Sequence, residues 1–100
     1  MSEWRLENFE GSLDRWIDLE KPDDDLRYLV TEWLLSRLDD PYQGVSRAPD
    51  SNLWFGQVPG SEHGPDAVAC SYWIREQDKV VRCDSIATLR SVRCHGRARD

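Results

Sequence analysis

The sequence contains no run of about 20 apolar residues, so no segment is expected to cross a bilayer as a helix. Its three cysteines, Cys70, Cys83 and Cys94, include no Cys-x-x-Cys pair, which removes the most specific zinc signature and any dense secreted disulfide framework. An odd number cannot all pair within the chain, and reduced thiols are expected. Gly56, Gly60 and Gly64 are separated by prolines and polar residues and lack the strand-to-helix setting of a phosphate-binding loop. Chemistry dependent on ATP, GTP or a dinucleotide is therefore not expected, and no cofactor or metal is assigned. There is no internal repeat and no heptad run. The amino terminus is acidic where a signal peptide is basic and then apolar, so a cytoplasmic protein with no membrane association is expected.

What is present fits one α+β domain over residues 1–100. The chain is 39 % hydrophobic and carries five tryptophans, enough for a small core. Its formal net charge of -6 is unevenly placed. Residues 1–40 hold 12 acids and 5 basic groups, whereas residues 70–100 hold 4 acids and 7 basic groups. Overall acidity opposes nonspecific adhesion to nucleic acid, but potential follows the distribution of charge, so a basic site in the second half stays open.

The stretch DDDLRYLVTEWLLSRLDD is the most periodic. Leu26, Leu29, Val30, Trp33, Leu34 and Leu38 recur at steps of three and four, while Arg27, Glu32, Arg37 and Asp39 fall on other faces. Pro22, the following aspartates and Pro41 bound a helix from about Asp24 to about Leu38, which is expected to bury Leu29, Trp33 and Leu38. Phe9, Leu13, Trp16 and Ile17 predict a first helix of about two turns with Ser12 as its cap. Trp4 and Leu6 suggest a short first strand. DPYQGVSRAPDSN reads as an ordered loop anchored by Tyr42, and LWFGQV as a strand with a bulge at Gly56. AVACSYWI and KVVRCDSIATL alternate and predict an antiparallel hairpin, with Val68, Cys70, Tyr72 and Ile74 on one side of the first strand. In the second, Val80, Arg82, Asp84 and Ile86 are placed on one side and Val81 and Cys83 on the other. The expected architecture is two N-terminal helices packed on a small antiparallel sheet, with a tail that frays from about residue 94.

This order of elements resembles the RelE/ParE superfamily of bacterial toxins. The resemblance rests on Leu38, Asp39, Asp40, Pro41 and Tyr42 after the second helix, then Leu53, Trp54 and Phe55, and on the later strands Ala67 to Ile74 and Val80 to Ile86. It implies a toxin of a toxin-antitoxin system, such as a ribosome-dependent mRNA endonuclease or a gyrase inhibitor, held by an antitoxin-like protein. Most members are basic, and this chain is not.

RNA cleavage at a 2'-hydroxyl needs proton transfer and cations around the phosphate. Arg82, Arg93 and His95 are the candidate catalytic groups, with Arg75, Lys79 and Arg90 as phosphate-binding partners; the ordinary alternative is a solvated arginine-rich surface. Cys70 and Cys83 are read as core thiols in preference to metal ligands, and Trp54, Phe55, Tyr72 and Trp73 as core or interface in preference to base-stacking groups. The expected partners are an antitoxin-like protein, the ribosome or mRNA, and a second copy of the chain. The competing function is a nonenzymatic, acidic protein-interaction module or homodimerising protein on the same fold.

Overall fold

The structure, a computed structural model, describes residues 3–90. A first strand, β1 (Arg5–Glu7), leads into α1 (Phe9–Glu20) and α2 (Asp24–Leu35), which continues as a 3-10 turn, Ser36–Leu38. Four strands follow: β2 (Ser46–Arg47), β3 (Leu53–Gln57), β4 (Asp66–Arg75) and β5 (Val80–Arg90). The expected fraying from about residue 94 lies outside the described residues.

α1 starts earlier and runs longer than its sequence suggests. Asn8, in left-handed backbone with φ 64°, precedes it, and Ser12 is buried inside it and does not cap it. A glycine within a helix costs about 1 kcal/mol, but burial of Phe9 and Trp16 on either side of Gly11 and Ser12 outweighs that. Trp16 also donates from Nε1 to Thr88 Oγ1 at 2.8 Å, fastening α1 to β5. The α1–α2 turn closes on Lys21, and Asp23 caps α2 by accepting from the Leu26 amide at 2.9 Å.

Val30 and Leu34 are the most deeply buried side chains of α2, with Leu26, Leu29 and Trp33 packed around them. The helix tightens into its 3-10 turn where the Ser36 hydroxyl donates to the Trp33 carbonyl at 2.5 Å. Arg37 points inward and does not fall on another face as expected: it stands three residues after Leu34, four after Trp33 and seven after Val30, on the buried stripe itself. Only 2 % exposed, Arg37 lies over the Trp33 ring at 4.2 Å and donates to the Gln43 carbonyl at 2.6 Å and Tyr72 Oη at 3.1 Å. Tyr72 in turn donates to the Pro41 carbonyl at 2.5 Å, so two core side chains hold the loop after the helix. Tyr42 anchors the same loop between Trp4 and Trp54, with ring centroids 6.0 and 5.0 Å away.

The five strands form one sheet in the order β1-β5-β4-β3-β2. The α+β class and the helix-on-sheet layering follow the expectation, but the sheet is mixed: β1 pairs with β5 in parallel. The helices carry the chain from one edge to the other, and a four-strand meander then reverses three times, which delivers β5 alongside β1 pointing the same way. β2, in the stretch expected to be a loop, has two polar residues and no alternation to betray it. β3 pairs with β4 without a break through Gly56, so the expected bulge is absent there. Gly56 is needed for another reason: a Cβ on it would sit 2.8 Å from Val45 Cγ1 and 2.9 Å from the Gly44 carbonyl, where the preceding loop crosses β3.

The bulge lies one strand over. Ser71 faces Ser85, but Tyr72 faces Cys83, leaving Asp84 as an extra residue in β5. The Cys83 carbonyl at this break accepts from Asn8 Nδ2 at 3.0 Å. The bulge shifts the alternation, so Ile86 joins Val81 and Cys83 on the helix side and does not share a face with Arg82 and Asp84. Val68, Cys70, Tyr72 and Ile74 point to the helices as expected.

Candidate functional site: the open face of the sheet

Among the described residues, no helix packs on the other side of the sheet. Alternation along the strands and the pairing register place Glu7 and Arg82, Trp73 and Ser71, Phe55 and Leu53 there, with Ala69 and Ala87 filling the surface between them. Phe55 and Trp73 are 44 % and 38 % exposed, an unusual position for large rings in a domain that has a core to fill. Arg5 and Arg75 join this face near the β4–β5 turn as register partners of Val80. The face thus carries Arg5, Arg75 and Arg82 against Glu7 and Asp84. α1 and α2 carry Glu10, Asp14, Asp18, Glu20, Asp24, Asp25 and Glu32 against Arg15 and Arg27.

Of the residues expected to act on phosphate, Arg82 is central to the open face and Arg75 is near its end. Each has a carboxylate neighbour: Arg82 Nη1 is 3.4 Å from Glu7 Oε1, and Arg75 Nη2 is 2.7 Å from Asp78 Oδ2. These pairs are solvated, and contacts of that kind contribute about 0–1 kcal/mol, so an incoming phosphate can compete for either guanidinium. Lys79, in the turn, lies 3.0 Å from Glu76 Oε2 and 4.8 Å over the Trp4 ring. Its hydrogen bond to Glu76 raises its pKa.

Arg90 is not part of this group. It pairs with Asp66 at the far end of β5, eight residues and about 26 Å of strand from Arg82. The bulge also places it on the helix side. Both residues have even numbers, so an unbroken strand would have put them on one face; the extra residue at Asp84 separates them. Arg93 and His95 lie outside the described residues.

Cys70, Cys83 and His63 do not form a site, and Cys94 lies outside the described residues. Cys70 and Cys83 are both 2 % exposed, and the hydrogen bond between their thiols, together with burial, pushes the Cys70 pKa far up, keeping it an inert core thiol. His63 Nδ1 is 2.8 Å from the Ser61 carbonyl in the β3–β4 loop. Among the described residues, no three His, Cys, Asp or Glu side chains gather to hold a metal ion.

A feature that alternation alone does not reveal is the polar cluster at the centre of the face. Ser71 Oγ donates to Asp84 Oδ2 at 3.0 Å and lies 3.2 Å from Ser85 Oγ. The bulge brings two consecutive side chains, Asp84 and Ser85, to the same side. The run Asp84-Ser85 between Cys83 and Ile86 is its trace in the sequence: two polar residues interrupt an apolar alternation.

No family model matches the chain, and no curated protein matches it. Among solved structures, the chain is similar to an arginine-to-alanine double mutant of the Escherichia coli toxin RelE in the free state. The TM-score is 0.57 at 16 % identity, over 96 % of this chain and 90 % of that one. Such a likeness establishes a RelE-like fold.

Proposed function

We propose that the protein is a toxin-like member of a bacterial toxin-antitoxin pair that works on RNA through the open face of its sheet. The observation that carries this reading is the company Arg82 keeps: an exposed cation on the same uncovered surface as the exposed rings of Trp73 and Phe55. Aromatic rings stack on unpaired bases, and guanidinium groups neutralise the phosphates between them, the combination that single-stranded nucleic acid requires. The RelE-like fold supports the same reading.

In it, Arg82 holds the reacting phosphate and stabilises charge that develops on it, while Arg75 and Lys79 bind the neighbouring backbone. Ribosome-dependent mRNA cleavage is the finer activity proposed. An Arg82→Glu change is expected to abolish growth arrest on induction and cleavage of mRNA on translating ribosomes, with the circular-dichroism spectrum and melting temperature unchanged, because an exposed side chain is altered. Deleting residues 91–100 tests separately whether Arg93 and His95 contribute. Wild-type protein that neither arrests growth nor cleaves free or ribosome-bound RNA overturns the proposal.

One observation favours a second reading. Leu6, Phe9, Leu13, Leu34 and Leu35 line an apolar groove of about 500 Å³ between β1 and the two acidic helices. A basic amphipathic helix suits it, so this is where an antitoxin-like partner would dock, or the only partner if the protein is a nonenzymatic interaction module. Growth arrest that survives Arg82→Glu but is lost with Leu35→Lys selects that reading.

A further inference from the structure

Resting on the RNA reading, we propose that Asp84 is a specificity-determining residue that reads a guanine base laid on the open face of the sheet. A carboxylate is out of place on a phosphate-binding surface, since it repels the backbone the surface must attract. This one is also built in. Asp84 is the extra residue of the bulge, and the bulge costs a break in the longest strand pairing of the sheet. The break is supported from outside the sheet by the hydrogen bond from Asn8 to the Cys83 carbonyl. Bulges re-aim side chains, and here the result is a carboxylate and a hydroxyl side by side where regular alternation would turn Ser85 toward the helices.

The carboxylate is oriented but not neutralised. Ser71 Oγ holds Oδ2 at 3.0 Å. Arg82, the closest cation along β5, is directed to Glu7 at 3.4 Å. Among the described residues no cation pairs with Asp84, and the side chain is exposed, so its carboxylate is open to an incoming donor. The aromatic rings stand beside it: Phe55 is the register partner of Ser71, and Trp73 is the next side chain of β4 on that face. A base stacked on either ring presents its edge to the Ser71–Asp84–Ser85 cluster.

The donors and acceptors of that cluster select among the four bases. Guanine offers two adjacent donors on its Watson–Crick edge, N1–H and the 2-amino group, which match the two oxygens of a carboxylate. Adenine and cytosine each place a ring nitrogen lone pair next to their amino group, which faces the carboxylate with repulsion. Uracil has one N–H between two carbonyl oxygens. A site whose acceptors need two donors rejects ligands that leave them unpaired. The cost of Asp84 to general phosphate attraction falls on all sequences, and only guanine recovers it.

The test uses the full chain and labelled pentauridine carrying one central guanosine, inosine, adenosine or cytidine, with binding read by fluorescence anisotropy. Wild-type protein is expected to bind the guanosine oligonucleotide about tenfold more tightly than the adenosine and cytidine ones, within the range of a good bidentate base contact. Inosine, which keeps N1–H and lacks the 2-amino group, should fall between. Asp84→Asn should erase the preference while binding pentauridine at least as tightly as wild type, since a negative charge has been removed. Ser71→Ala should halve the preference or more without changing pentauridine affinity. Equal binding of all four by wild type, or a guanosine preference that survives Asp84→Asn, overturns the assignment of Asp84 and leaves the RNA reading standing. Wild-type binding to none of them overturns the assignment of Asp84, and the growth and ribosome-cleavage assays then decide the RNA reading.

Discussion

The two faces of the sheet follow opposite rules. On the helix side, the core side chains of β4 and β5 are covered: Tyr72, Val68, Val81 and Cys83 are at most 2 % exposed, and even the charged Arg37 is sealed among them. On the open side, Trp73 and Phe55 remain 38 % and 44 % exposed. Burying a large side chain fully contributes about 1.5–3 kcal/mol, so each ring forgoes part of that. The charge divides as well: acids predominate on the helices, and arginines outnumber acids on the open face.

The sharpest way to break that comparison is Trp16→Ala, which should cost about 3–5 kcal/mol from lost packing and a cavity, plus the bond to Thr88 that joins α1 to β5. Chemical denaturation measures it, and a loss below about 1 kcal/mol would show that α1 does not depend on this anchor. Arg37→Met comes next. Among the described residues Arg37 has no carboxylate partner, so its removal strands no opposite charge; it leaves the Gln43 carbonyl without its donor and Tyr72 Oη with its bond to Pro41 alone. A loss of about 1–3 kcal/mol is expected, with the damage confined to the loop after α2 and visible as faster amide exchange there. Unaltered exchange in that loop would count against the anchoring role. The matching change on the open face, Phe55→Ser with Trp73→Ser, removes two half-covered rings and should cost about 1–3 kcal/mol, less than Trp16→Ala alone, while weakening RNA binding. A large loss of stability from that pair would mean that the open face belongs to the core.

What the sequence revealed divides along the same line. α2 was legible because Leu26, Val30 and Leu34 keep a helical period, and the hairpin because Val68, Cys70, Tyr72 and Ile74 alternate without interruption. Both signals record burial by local periodicity. The parallel pairing of β1 with β5 has no such signal, because it joins Leu6 to Val81 across most of the chain. Arg37 was misplaced by its charge and not by its spacing: it stands four residues after Trp33 and seven after Val30, on the buried stripe that the helical period marks. The placement of the candidate residues was half legible: charge and position pointed to Arg75 and Arg82, which share the open face, but their separation from Arg90 depends on one extra residue in β5. Asp84 itself reads as a surface acid until the bulge is seen to aim it.

The smallest expected effect concerns the edge between the two faces, where Tyr42 meets Glu76. Tyr42 Oη donates to Glu76 Oε1, and burial, then that hydrogen bond and the charge of Glu76, push the phenol from 10.0 up to about 12. The same bond, then the one from Lys79, holds Glu76 below its ordinary range. The two shifts act at opposite ends of the pH scale. A raised folded pKa gives stability that is complete below about pH 10 and lost between about pH 10 and 12, because the unfolded chain ionises first. A lowered carboxyl pKa gives stability present above its unfolded value of 4.5 and lost as pH falls through the folded one. Tyr42 is 37 % exposed, so solvent screens both effects and the change is small. Lys79 and Tyr72 also titrate upward of their usual values, so the wild-type curve alone does not isolate this bond. The difference between wild type and Tyr42→Phe does: urea midpoints of the two should diverge least above pH 11 and most between pH 6 and 9. Curves that stay parallel from pH 6 to 12 would show that Tyr42 contributes through the Trp4 and Trp54 rings and not through its bond to Glu76.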